Sequence, residues 1–182
     1  NLPKEVSQNI APLIFDTMGI YWTMKFQNEK DKKLLEEWDL KPKNLPVKVY
    51  VPFGHYEEYS KRNIPVDEKF ALAPWELEAE EWVTTFGLKL TNPISVLIVR
   101  VLTKLKEKKK YTIADIISEI GKDKKTNNEI KNAAEGLFES ALDWGIFATD
   151  VKEATQVEDL VSGGKTTVLD LSVYSSIGSF NV

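Results

Sequence analysis

Residues 161–172 read VSGGKTTVLDLS, and the fold depends on whether this stretch opens a helix or enters a strand. Gly164, Lys165 and Thr166 spell the tail of a phosphate-binding loop. Such a loop needs another glycine five positions before Gly164, and it must leave a strand and open a helix whose N-terminal amides hold the anion. Asp159 stands where that glycine belongs, and a carboxylate there repels phosphate. The residues after Lys165 are β-branched and apolar, so the segment reads as a glycine turn feeding a buried strand over 166–171.

Working outward from that strand, the chain changes character twice. From Asn92, Ile94, Leu97, Ile98, Val101, Leu102 and Leu105 fall on one helical face, with Asn92 as cap and Pro93 in the first turn. Thr112 caps a second helix bearing Ile113, Ile116, Ile117 and Ile120, with Gly121 after its end. A third runs through Ile130, Ala134, Leu137, Phe138 and Ala141 and stops at Trp144 and Gly145. A weaker helix, PWELEAEEWVTTFG (74–87), precedes them. Further upstream, APLIFD (11–16) and LPVKVYVPFG (45–54) read as strands, with a short helix from Asn28 carrying Leu34, Leu35 and Trp38 between them. The polar stretch HYEEYSKRNIPVDEKF (55–70) reads as a long surface loop. Strand, helix, strand, helical lobe and strand describe an α/β chain whose partial parallel sheet is interrupted by a helical insertion. The expected boundaries are 1–73 for the first part of the α/β core, 74–150 for the lobe and 151–182 for the return strand.

Composition narrows the function classes. The chain has 182 residues, 42% hydrophobic and 29% charged, enough for a full core and unlike a disordered or fibrous chain. A net charge of -4 gives no whole-molecule attraction to polyanions, so any such contact must be local. With no cysteine and only His55, thiolate and histidine-rich metal sites are excluded, which fits a cytoplasmic setting. ISVLIVRVL, the longest apolar stretch, is broken by Arg100 and too short to span a bilayer. Arg62 and Arg100 are the only arginines beside many lysines and glutamates, a balance compatible with a thermophile. The opening NLPKEVSQNI and the closing SSIGSFNV point to a piece of a longer protein.

Few residues carry chemistry by spacing alone. Asp16 ends one strand and Asp170 lies near the end of another; such carboxyl groups either hold hydrated magnesium and orient water or cap the following turn. His55 reads as a solvated loop residue without a nucleophile partner. Lys104, Lys108, Lys109 and Lys110, within KLKEKKK, either track nucleic-acid phosphates or solvate a helix end and complement its dipole. The helices over 112–144 followed by a strand also match a winged-helix layout, although Glu129, Glu135, Glu139 and Asp143 make the second helix too acidic to read bases. Trp22, Trp38, Trp75, Trp82 and Trp144 read as core or subunit packing rather than a base-stacking platform. No Ser/His/Asp set, HExxH or GxGxxG is present, so no catalytic or metal-ligating residue is assigned.

Taken in order, DTMGIYW (16–22), VKVYVPFG (47–54) and GGKTTVLDLS (163–172), with IPVDEKFALAPWELEAEEW and AAEGLFESALDWGIF between them, resemble the archaeal branch of the HerA/FtsK-type DNA-translocating ATPases over nearly the whole chain. The resemblance implies a RecA-like sheet and a segment lying between the phosphate-binding loop and the paired acids that come after it in the family. It implies ATP and magnesium as cofactors of an intact parent, double-stranded DNA as its track, other ring subunits as neighbours, a nuclease as a possible associate, and no membrane partner. The segment alone is then expected to hydrolyse nothing. Asp16 and Gly19 match the family's DxxG, at the nucleotide edge of the sheet. Ile20 stands where many relatives carry an acid, so no catalytic role passes to that position. The alternative is a stand-alone winged-helix-like DNA-binding or adaptor module.

Overall fold

The computed structural model describes residues 3–176, so Asn1, Leu2 and most of the closing SSIGSFNV lie outside the described residues. Four strands, β1 (Leu13–Asp16), β2 (Val47–Pro52), β3 (Glu68–Phe70) and β4 (Thr166–Asp170), form one all-parallel sheet in the order β1-β4-β2-β3. Nine helices accompany them among the described residues: α1 (Lys4–Ser7), α2 (Lys32–Glu37), α3 (Tyr56–Lys61), α4 (Ala79–Thr85), α5 (Pro93–Lys106), α6 (Ile113–Lys122), α7 (Asn128–Asp143), α8 (Val157–Leu160) and α9 (Ser172–Ser176). The chain divides into two compact units, Ala71–Thr155 and a sheet unit built from the segments on either side of it. This is a RecA-like α/β sheet interrupted by a helical insertion.

The strand read from VSGGKTTVLDLS takes an interior place, hydrogen-bonded to β1 on one side and β2 on the other. Val168, Leu169 and Asp170 are buried, as a two-sided parallel sheet demands. The glycine pair has a steric cause. A Cβ on Gly163 would sit 2.3 Å from the carbonyl oxygen of Gln8, and Gly164 has φ +77 while its N–H donates to Ile10. Only a bare backbone lets the turn pass this close to the segment leading into β1. Lys165 is exposed at the turn and opens no helix.

The 55–70 stretch departs from the expected surface loop. A short 3-10 turn over Phe53–His55 runs into α3, and the chain then enters β3. Tyr59 and Ile64 are buried here and form a core cluster with Val51 and Val173. The polar residues dominate the composition, but Tyr56, Tyr59 and the chain turn to Ile64 put the apolar groups on one side. His55 is accordingly no solvated loop residue: its ring lies edge-on to Tyr174, and its Nδ1 is 3.7 Å from Glu58. Asn28 does not cap α2 directly; its side chain accepts from Asp31 N–H, and Asp31 precedes the helix. That helix buries nothing, and Trp38 is 74% exposed, unlike the other four tryptophans, each at least partly buried.

The insertion is a closed helical unit. Trp82, Leu97, Leu102, Leu105, Ile113, Ile116, Phe138 and Ala141 share one core, each large apolar chain contributing about 1.5–3 kcal/mol on burial. Asn92 accepts from Ile94 N–H, Asn127 from Ile130 N–H, and Thr112 forms a reciprocal capping box with Asp115. Gly121 falls within the last turn of α6 rather than after it, and the 74–87 helix splits into a turn at Pro74–Glu76 and α4. After α7 the described residues of this unit form a single parallel bridge, Leu72 to Phe147, and no hairpin that would serve as a wing.

Candidate functional site at the carboxyl edge of the sheet

In an open parallel sheet, the carboxyl ends of the strands are where backbone N–H groups and side chains can converge on a ligand. Here Asp16 and Asp170 end adjacent strands in register, and both are buried. Asp16 is the organising group. Its Oδ1 accepts from the N–H of Met18 at 3.1 Å and Gly19 at 2.9 Å; its Oδ2 accepts from Ile20 and Tyr21, each at 2.8 Å. One side chain therefore satisfies four consecutive amides of the turn leading into a 3-10 helix at Tyr21–Lys25.

The same turn is tied from outside. The Trp22 indole donates to the Gly19 carbonyl at 2.8 Å, and the Ser175 hydroxyl donates to the Thr17 carbonyl at 2.6 Å. Gly19 has φ +67, and a Cβ there would meet Ser172 Oγ at 2.5 Å. Glycine is thus required both by the backbone conformation and by the approach of α9. The outcome is a fixed loop from which Met18, 75% exposed, projects outward with Ile20 and Tyr21.

Asp170 works differently. Its Oδ1 accepts from the Tyr59 hydroxyl at 2.9 Å and from Ser172 N–H at 2.9 Å, while its buried Oδ2 has no hydrogen-bond partner. The Tyr59 hydroxyl in turn accepts from Val173 N–H, and burial above all pushes its pKa up to about 12, so it acts as a neutral donor. Sequence reasoning misses Tyr59 and Ser172. The helical spacing of Tyr56 and Tyr59 inside a polar stretch is the available signal for the first; for Ser172, at the start of α9, nothing in the sequence marks proximity to Gly19.

Magnesium does not fit Asp16 as found, because both oxygens are committed to four amides, and the described residues contain no group of three or more His, Cys, Asp or Glu able to hold a metal ion. Nor does the chain contain a GxxxxGK[ST] to cradle phosphates. The edge supplies a rigid loop and one unpartnered carboxyl oxygen.

The lysines expected to face nucleic acid lie in the helical unit, and of them Lys104 is ion-paired. Arg100, Lys104 and Lys108, four residues apart, run antiparallel to Asp123, Glu119 and Asp115 of the α6 segment. Arg100 Nη1 donates to Asp123 Oδ2 at 2.9 Å and to Thr126, and Lys104 Nζ bonds Glu119. The Arg100 hydrogen bond holds Asp123 down at about 2; the Lys104 hydrogen bond lowers Glu119, and Lys104 is raised in return. Asp115 is lowered chiefly by the Thr112 N–H, with the Lys108 charge assisting. Lys110 Nζ lies 5.5 Å from the Trp75 ring centroid, and Lys109, at φ +65, takes the left-handed conformation in the turn after α5.

A family model described as "Helicase HerA, central domain" matches residues 3–179. No curated protein matches the chain.

Proposed function

The chain belongs to the HerA helicase central-domain family, and we propose that it forms the part of a RecA-like motor ATPase that carries one nucleotide edge of the sheet together with the helical insertion. The observation that carries this reading is the Asp16 turn, fixed by four amide hydrogen bonds at the carboxyl edge of the parallel sheet and matching the DxxG of the family. Asp16 positions the loop, Gly19 lets α9 approach it, and the exposed loop surface faces the nucleotide in the intact motor. ATP with magnesium is the cofactor in this reading, and its phosphates are held by residues outside this segment, since no phosphate-binding loop is present within it.

Surface chemistry supports the reading of an incomplete sheet. β1 pairs only with β4 among the described strands, and Phe15 on it is 65% exposed. All-parallel sheets are normally covered on both faces, so this apolar edge is where further elements of the motor pack. Double-stranded DNA is the proposed track, other ring subunits the proposed neighbours, a nuclease a proposed associate and an archaeal cytoplasm the proposed setting. No described helix is long and apolar enough to cross a membrane.

The test is ATP turnover by the pure 182-residue chain with magnesium, with and without duplex DNA. The expected result is none, and measurable turnover that co-purifies with the chain overturns the proposal.

A further inference from the structure

The ion pairs between α5 and the α6 segment engage Arg100 and Lys104. Beside that ladder lies an open depression of about 230 Å³, lined by Arg100, Lys104, Lys122, Lys124 and Lys125 with Glu119 and Asp123. Arg100 is held by Asp123 and Thr126, and Lys104 by Glu119, which also lies 3.7 Å from Lys122. Lys122, Lys124 and Lys125 are all exposed, and the side chains of Lys124 and Lys125 have no hydrogen-bond or ion-pair partner among the described residues. Asp123 is turned inward: its carboxyl group takes the Arg100 guanidinium and the backbone N–H of Lys125, which closes the turn after α6 and holds the lysines outside it.

We propose that Lys122, Lys124 and Lys125 form a sequence-independent contact for the phosphate backbone of double-stranded DNA. The inference rests on the nucleic-acid reading under the proposed function. Exposed ammonium groups are point charges that neutralise phosphates without selecting bases. The guanidinium in the depression, the group suited to bidentate guanine recognition, is already bound. A folded protein partner fits poorly, because an interface core needs apolar or aromatic anchors, and the one apolar residue lining this depression, Val101, is itself buried.

The experiment measures binding of a short fluorescein-labelled duplex of mixed sequence to the 182-residue chain by anisotropy across a salt series. The expected result is salt-dependent binding whose log–log slope falls by about 0.9 for each phosphate no longer neutralised in a Lys122→Glu, Lys124→Glu, Lys125→Glu triple variant, with affinity down at least ~10-fold. The Lys→Arg triple variant retains binding, and the Lys108→Glu, Lys109→Glu, Lys110→Glu variant loses markedly less. Circular dichroism melts confirm that each variant is folded. The proposal is overturned by absent duplex binding, by binding that tracks the α5-end lysines instead, or by binding of polyglutamate in preference to duplex. None of these outcomes alters the ATP-turnover test, so failure here is distinguishable from failure of the family reading.

Discussion

The sheet unit and the helical unit use their charged groups in opposite ways. At the sheet edge one carboxyl group, Asp16, is buried and spends itself on backbone amides, fixing a loop whose apolar side chains point outward. In the helical unit the carboxyl groups of Glu119 and Asp123 pair with cations of a neighbouring helix at the surface, and the apolar side chains turn inward to one core. The first arrangement fixes a loop and leaves apolar side chains exposed around it. The second closes a unit around one apolar core.

The helical core offers the most forceful way to break that contrast. Trp82→Ala removes a fully buried ring that packs on Phe86, Phe138 and Phe147, and it is expected to cost about 3–5 kcal/mol in thermal or urea unfolding. Next comes Asp16→Ala, which orphans the amides of Met18, Gly19, Ile20 and Tyr21 and is expected to cost about 3 kcal/mol. Hydrogen exchange sharpens this one: those amides should lose protection while the amides of α5 and α7 keep theirs. Gly19→Ala should cost about 2 kcal/mol, since it combines a positive φ with a clash against Ser172.

The smallest effect belongs to the ion-pair ladder. Asp123 titrates lower in the folded protein, near 2, than its ordinary 3.8, so its pairing with Arg100 stabilises fully above pH 3.8 and the contribution fades as pH falls toward 2. Arg100→Ala should flatten the melting temperature against pH in that window and leave it unchanged in slope above it. Because the pair is partly exposed, high salt should mute the difference.

The same contrast explains how far the sequence can be read. The helices α5, α6 and α7 announce themselves because their stripes, caps and core are local: Asn92 and Thr112 cap as their spacing suggests, and Asn127 caps the third. The strand over 166–170 is legible from its β-branched run, while its interior place between β1 and β2 is set by pairing with distant segments. Parallel pairing is non-local, so nothing near Gly163 signals that Gln8 passes within contact, and nothing near Asp170 signals Tyr59. Asp16 is legible as a strand-end acid, yet its choice of four amides over a cation depends on how the next five residues turn. The lysines around Leu105 are visible as a cluster, but the partners of Lys104 and Lys106, Glu119 and Glu78, lie on other segments of the chain.

The decisive experiment is ATP turnover by the intact motor of which this chain is proposed to form a part, with duplex DNA present, comparing the native sequence with Asp16→Ala after both are shown to be folded. The expected result is duplex-stimulated turnover that falls by at least ~10²-fold in the variant, because the loop proposed to line the nucleotide edge is no longer fixed. Turnover in the folded variant equal to that of the native protein would contradict the role given to Asp16.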